Sequence, residues 1–394
     1  MNLSIYYQYN PWWDGQFNLP NIIERPEISK KIEKSLSDRS IVILTGLRRI
    51  GKTTLMKLMI RQMLQNGIDP AHIFYTSLDD YLLADRSIIE IIDEYRKIQR
   101  LSVDQKIYLF LDEVASKNDF QIQLKNIYDR ENVKIYASSS SSSVLRDCKA
   151  ALTGRERVIE VLPLDFYEFL SFRNISIPKR DQSVEGSYFE EYLHTGGIPE
   201  YVLSGEREYM KNLVDDIISK DIIAFHGIKN RKQIRDCFLL LMESAGSTVS
   251  LSRIANILKV SPDTSSRFIN LFEETYLIHL VQRDGKTAER LLAPKKIYIA
   301  DLGIRSLFSK QINIGKLFEN YIFLMIKQFN PRYIYKNSLE IDFYFDKNIL
   351  VEVKYGEDLN EKQCKLFEAY PAKHRLLLKN LDDLKTLKNL LQKQ

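Results

Sequence analysis

Five short stretches in the first 162 residues are apolar runs: 41–45, 73–75, 107–111, 133–137 and 158–162. Four of them are apolar nearly throughout instead of alternating, the pattern of strands covered on both faces. Between them lie stretches with apolar positions at helical spacing, 52–65 (followed by Gly67), 87–100 and 120–128. This alternation predicts an α/β fold, a mostly parallel sheet with helices on both faces. From 164 to 232 the strand runs stop, and the chain reads as helices broken by Pro178, Gly196-Gly197 and Pro199. Residues 233–305 carry a third pattern and 306–394 a fourth, so four parts are expected: 1–163, 164–232, 233–305 and 306–394.

Composition narrows the class. A chain of 394 residues with 44% hydrophobic and 28% charged side chains can bury real cores, which excludes a disordered protein. Its 57 basic and 52 acidic residues leave a net charge of +5, too even for a polycation. A nucleic-acid partner would therefore need locally grouped basic residues. Cys148, Cys237 and Cys364 lie far apart and offer neither a disulfide framework nor a CxxC knuckle, and the histidines share no ligand spacing. No run approaches the roughly 18 apolar residues of a membrane span, and residues 1–10 are polar and aromatic. A cytoplasmic protein without a membrane partner is expected.

Residues 46–53, Gly-Leu-Arg-Arg-Ile-Gly-Lys-Thr, satisfy GxxxxGK[ST] between a strand run and a helix, the context this motif requires. Gly46, Arg49, Gly51, Lys52, Thr53 and Thr54 are the candidate nucleotide contacts. The glycines let backbone N–H groups face phosphate oxygens at a helix start. Lys52 would reach the β- and γ-phosphates and Thr53 would give a hydroxyl to Mg²⁺. The run 107–111 ends in Asp112 and Glu113, suited to hold the Mg²⁺ shell and to polarise the attacking water. With no NKxD guanine-reading motif, ATP is the expected nucleotide. Trp12 and Trp13 could brace its base or seal the core.

These residues, together with Leu152-Thr153-Gly154-Arg155, resemble the AAA-type ATPases of the signal-transduction (STAND-like) branch of archaea and bacteria. The stretch from Tyr192 to Glu200 is similar to that branch's GxP motif, with Gly197 and Pro199 as its markers. The resemblance implies a γ-phosphate sensor at the end of the fourth strand, a role open to Ser138 or Ser140. It also makes Arg155 a candidate charge-stabilising arginine, the alternative being a surface ion pair.

Within 233–305, a helical stripe at 233–244 precedes two helices, 251–258 and 262–275, and strands at 278–283 and 296–299. That is the order of a winged helix-turn-helix, and the same resemblance implies one here. Asp263, Thr264, Ser265, Ser266 and Arg267 would start the reading helix, and Arg283, Lys286 and Arg290 the wing. Double-stranded DNA is the expected partner, a spacer packed on other domains the alternative. A homo-oligomer is compatible with the sequence.

The last part holds two short strand runs, 340–345 and 349–354, around a three-residue loop. Pairing 345 with 349 sets Asp342 opposite Glu352 and Glu340 opposite Lys354, all on one face, while the other face is apolar. Opposed carboxylates repel unless a cation lies between them. Asp342 and Glu352 are therefore candidate ligands of Mg²⁺ or Mn²⁺, with Lys354 beside the attacking water. The alternative is a solvated face with a Glu340–Lys354 ion pair. Asp342 with Glu352-Val353-Lys354 resembles the PD-(D/E)xK nuclease core, and Glu319 takes the acidic position of that superfamily's preceding helix. The whole resembles a prokaryotic family in which an AAA ATPase is fused to a restriction-endonuclease-like domain. That implies an ATPase coupled to a Mg²⁺-dependent nuclease acting on DNA. A nucleotide-dependent signalling switch with a docking domain and a DNA-translocating ATPase are the alternatives.

Overall fold

Strand β1 (Ile41–Thr45) is buried at every position and lies inside a five-stranded sheet with β2 (Ile73–Ser77), β3 (Ile107–Asp112), β4 (Val133–Ser139) and β5 (Glu156–Glu160). The computed structural model describes residues 4–19, 22–143, 148, 151–178, 182–346 and 348–392. The strand order is β2-β3-β4-β1-β5, and every pairing is parallel. Parallel strands need crossover helices, supplied here by Lys52–Gln65, Ile88–Gln99 and Phe120–Arg130. Ser87 and Glu90 close a reciprocal capping box on the second of these. The core between sheet and helices includes Ile43, Phe74, Leu109, Ile135, Ile91, Tyr95 and Leu124.

β5 starts two residues earlier than the apolar run suggested, because its register is set by β1: Ile41 pairs with Glu156 and Ile43 with Val158. As an edge strand it tolerates polar ends, so composition misplaces it. Trp12 and Trp13 both donate their indole N–H to the Ile73 carbonyl, at 3.1 and 3.0 Å. Trp13 also stacks on Phe74 and Tyr95. The pair seals the β2 edge of the sheet.

Packing divides the chain into two compact units, Met1–Leu162 with Glu274–Tyr276, and Pro163–Glu273 with Leu277–Gln394. The second unit contains two sheets. β6 (Ser247–Thr248), β7 (Ile278–Val281) and β8 (Lys296–Ile299) form an antiparallel sheet in the order β6-β8-β7. It accompanies helices Arg231–Ser244, Leu251–Leu258 and Pro262–Glu274. A short helix, Thr287–Leu292, stands between β7 and β8. β9 (Arg332–Lys336), β10 (Leu339–Phe345), β11 (Ile349–Val353) and β12 (His374–Leu378) form the other sheet, in the order β12-β11-β10-β9.

The β10–β11 hairpin pairs Phe345 with Ile349 and Phe343 with Val351, the register that the alternation and the short loop dictate. Lys347, inside that loop, lies outside the described residues. The apolar face, Ile341, Phe343, Phe345, Ile349, Val351 and Val353, is buried as expected. Helix Gln182–Thr195 packs aromatic rings on helix Ile314–Ile326: Phe189 meets Tyr321 at 5.5 Å between centroids and Tyr192 meets it at 5.4 Å. The chain after β7 joins the second sheet, for Asp284 N–H donates to the Tyr333 carbonyl at 2.7 Å and Tyr333 N–H to the Gln282 carbonyl at 3.1 Å.

Candidate active site

The parallel sheet brings the C-terminal ends of β1, β3 and β4 side by side, where the loop after β1 opens helix Lys52–Gln65. Gly46 can stand here only as glycine: a Cβ would lie 2.4 Å from the Val161 carbonyl oxygen, and its φ is +134°. Gly51, at φ +98°, makes the left-handed turn into the helix. Lys52 is buried, its ammonium donating to the Gly46 and Leu47 carbonyls at 2.9 and 3.0 Å and to Ser140 Oγ at 2.9 Å. Arg49 and Thr54 are exposed on the loop and the first helical turn.

The acidic pair is held by hydroxyls. Thr53 Oγ1 donates to Asp112 Oδ2 at 2.5 Å, and Tyr75 OH to the same oxygen at 2.9 Å. Ser138 Oγ donates to Asp112 Oδ1 and accepts the Glu113 N–H at 3.0 Å. Ser140 gives Glu113 two hydrogen bonds, from its N–H at 3.1 Å and its hydroxyl at 2.5 Å. Glu113 itself sits in the left-handed region at φ 53°, which turns its carboxylate off the strand. The two serines thus divide the work, Ser138 on Asp112 and Ser140 between Lys52 and Glu113.

The second cluster lies on the other sheet. Asp342 and Glu352 are opposed as the register requires, but both are buried, at 7% and 2% exposure, so the solvated-face alternative is wrong. Each carboxylate accepts a main-chain N–H from the facing strand: Glu352 Oε2 from Asp342 at 3.1 Å and Asp342 Oδ2 from Val353 at 3.0 Å. The Glu340–Lys354 ion pair of that alternative does not form. Lys354 instead bonds Glu352 Oε1 at 2.8 Å, and Glu340 is taken by Lys296 at 2.5 Å.

Lys296, on β8, is the residue that sequence reasoning missed. Its ammonium lies 2.8 Å from Glu319 Oε1 and 2.9 Å from Asp342 Oδ1 as well. Tyr298 donates its hydroxyl to Glu319 Oε1 at 2.6 Å. Burial, followed by the charge of Asp342, pushes the Glu352 carboxyl up to about 8, and burial raises Glu319 too. Burial alone would depress the Lys296 ammonium, but Asp342 and Glu319 outweigh it and hold it above the ordinary lysine value.

Residues 38–170 match the family model of the AAA domain. This part of the chain is an AAA-type P-loop ATPase domain. Residues 186–313 match a domain of unknown function. An uncharacterized protein of Methanocaldococcus jannaschii is 28% identical over 378 residues, covering 88% of this chain and 84% of its own length. An uncharacterized protein of Haemophilus influenzae is 26% identical over 317 residues, covering 77% of this chain and 78% of its own. Among solved structures, the Walker-type ATPase paby2304 of Pyrococcus abyssi aligns with a TM-score of 0.45 at 17% identity, over 73% of this chain and 96% of that one. DnaA of Aquifex aeolicus bound to AMPPCP aligns with a TM-score of 0.33 at 19% identity, over 66% and 93%.

In the ATPase domain the donor set fits Mg²⁺ with a nucleotide: the Thr53 hydroxyl and the Asp112 carboxylate meet at 2.5 Å, and Lys52 opens the helix beside them. Bound there, the ion would neutralise charge on the phosphates. Arg155 is elsewhere. Its carbonyl accepts the Ile41 N–H at 2.7 Å, at the opposite end of β1 from the loop, and its guanidinium pairs with Asp129 at 3.0 Å over the Tyr128 ring. Within its own chain it is a surface ion-pair arginine.

Gly197 and Pro199 belong to the second unit, where Gly197 N–H donates to Asp301 Oδ2 at 2.6 Å. Cβ atoms on Gly196 and Gly197 would lie 2.4 Å from Asp301 Oδ1 and 2.2 Å from the Leu164 carbonyl. Gly196 thus admits the buried Asp301 carboxylate to the backbone, and Gly197 admits the Leu164 main chain. Ser265 is buried and bonds the Leu251 and Pro262 carbonyls, which removes it from a DNA-reading face, while Asp263 and Arg267 stay exposed. Arg283 donates to the Tyr335 carbonyl at 2.5 Å, so this wing residue is committed to β9. Among the described residues no helix is long and apolar enough to cross a membrane.

Proposed function

We propose that this protein is an ATP-hydrolysing molecular switch. Lys52, with the loop N–H groups, binds the phosphates; Thr53 and Asp112 hold Mg²⁺; Glu113 orients and polarises the attacking water. Ser140 senses the γ-phosphate, because a phosphate arriving at Lys52 competes for the ammonium that Ser140 now shares. The change is released as a new position of Glu113. The observation that carries this reading is the hydrogen-bonded chain from Lys52 through Ser140 to Glu113.

The test is phosphate release from ATP by purified protein in Mg²⁺, wild type against Lys52→Ala and Glu113→Gln. Turnover abolished in both, with ATP still bound by Glu113→Gln, supports the switch; turnover unchanged in Glu113→Gln sinks it.

A second reading, an ATP-coupled nuclease acting on double-stranded DNA, draws on the convergence of Glu319, Asp342, Glu352 and Lys354. Incubation with plasmid in Mg²⁺ or Mn²⁺, with and without ATP, separates the two. Cleavage that disappears in Asp342→Ala gives the second reading; intact plasmid beside intact ATP turnover gives the first.

A further inference from the structure

The carboxylate cluster of the second unit does not fit a divalent metal. Among the described residues no three His, Cys, Asp or Glu side chains are arranged to hold one. The reason is visible in where each oxygen points. An ammonium has three N–H bonds, and Lys296 has three carboxylate oxygens in reach, from Glu319, Glu340 and Asp342 at 2.8, 2.5 and 2.9 Å. Those are hydrogen-bond lengths, against about 2.1 Å for oxygen on Mg²⁺. The four oxygens of the opposed pair are all engaged: Asp342 Oδ1 by Lys296, Oδ2 by the Val353 N–H, Glu352 Oε1 by Lys354 and Oε2 by the Asp342 N–H.

We infer that Lys296 takes the place of a metal ion, so that the nuclease-like centre is a lysine-filled, metal-free joint between β8, helix Ile314–Ile326, β10 and β11. The lysine is delivered from the preceding sheet. At 1% exposure its ammonium has no water to retreat to without β8 moving. A buried charge with three partners is costly to remove and costly to displace. The joint therefore ties the two sheets of the second unit together through a polar centre as well as through the main chain at Tyr333. The inference stands apart from the ATPase reading, since none of these residues belongs to the phosphate loop.

Binding of Mn²⁺ to the full chain without nucleotide, followed by the loss of the free-ion electron paramagnetic resonance signal, tests it. Wild type and Asp342→Asn are expected to bind the same amount of Mn²⁺. Lys296→Met, which empties the centre, is expected to gain one Mn²⁺ per chain, and the double variant Lys296→Met/Asp342→Asn to lose it again. One equivalent bound by wild type and lost in Asp342→Asn overturns the inference, as does a folded Lys296→Met that gains none. Should Lys296→Met fail to fold, wild type against Asp342→Asn decides by itself.

Discussion

Ser140 holds the Glu113 carboxylate with its hydroxyl at 2.5 Å and its N–H at 3.1 Å, while the same hydroxyl accepts from Lys52. Neither residue of the acidic pair is left to orient itself. Ser140→Ala removes one of the two bonds on Glu113 and one partner of Lys52. ATP turnover is expected to fall on the order of tenfold with KM nearly unchanged, as a positioning role requires. Ser138→Ala, which disturbs Asp112, is expected to raise the Mg²⁺ requirement instead. Steady-state kinetics over a Mg²⁺ series distinguishes them, and identical profiles would contradict the division.

Glu113→Gln keeps the size of the side chain and one oxygen to accept from Ser140, and abolishes the base. Turnover is expected to drop about 10²–10⁴-fold with nucleotide affinity retained. Fluorescent-nucleotide titration beside the turnover assay checks both halves.

Gly46→Ala places a methyl group 2.4 Å from a main-chain oxygen at a backbone angle that L-residues avoid. Strain and overpacking together are expected to cost at least about 2 kcal/mol of stability and to abolish nucleotide binding. Gly51→Ala meets no neighbour within 4 Å, so only its φ is strained and it is expected to cost less. Urea unfolding of the two variants reads the difference.

Burial raises the Asp301 carboxyl from 3.8 to about 6, against the opposing N–H groups of Gly197, Ile304 and Gly303. A carboxyl that holds its proton more tightly in the folded state favours folding in acid. That contribution is complete below 3.8 and is lost as pH climbs through 6, a change on the order of 3 kcal/mol. Asp301→Asn removes the titration but also one of the accepting oxygens. The stability advantage of wild type over the variant is expected to shrink from pH 4 to pH 6 and to stay level above it. Paired urea titrations at pH 4, 5, 6 and 7 measure it; a flat difference refutes it.

The elements that position the phosphate site were legible because each is local. A loop of fixed spacing lies between an apolar run and a helix, and the acids follow directly on their own strand. The hairpin register was legible for the same reason, since alternation and a three-residue loop leave one pairing. What could not be read is long-range. Ser138 and Ser140 share a face at spacing two, so only the end of β4 decides which reaches Lys52. Lys296 sits 46 positions from Asp342, and on its own strand it reads as a plain wing lysine. No sequence signal marked it, because the stretch 316–354 carries six cations of its own beside Glu319, Glu340, Asp342 and Glu352. The place of Arg155 was not legible either, because a motif gives its neighbours but not the end of the sheet on which it lies.

The annexation of residues 282–284 by the edge of β9 bears on how this protein can be cut. A fragment ending at Ile299 would present bare main-chain donors and acceptors to any passing strand, an invitation to aggregate. One beginning at Ile314 would be left with a knot of carboxylates stripped of its lysine. Insolubility of either truncate would therefore reflect the place of the scissors, not a failure of the sequence to encode a fold.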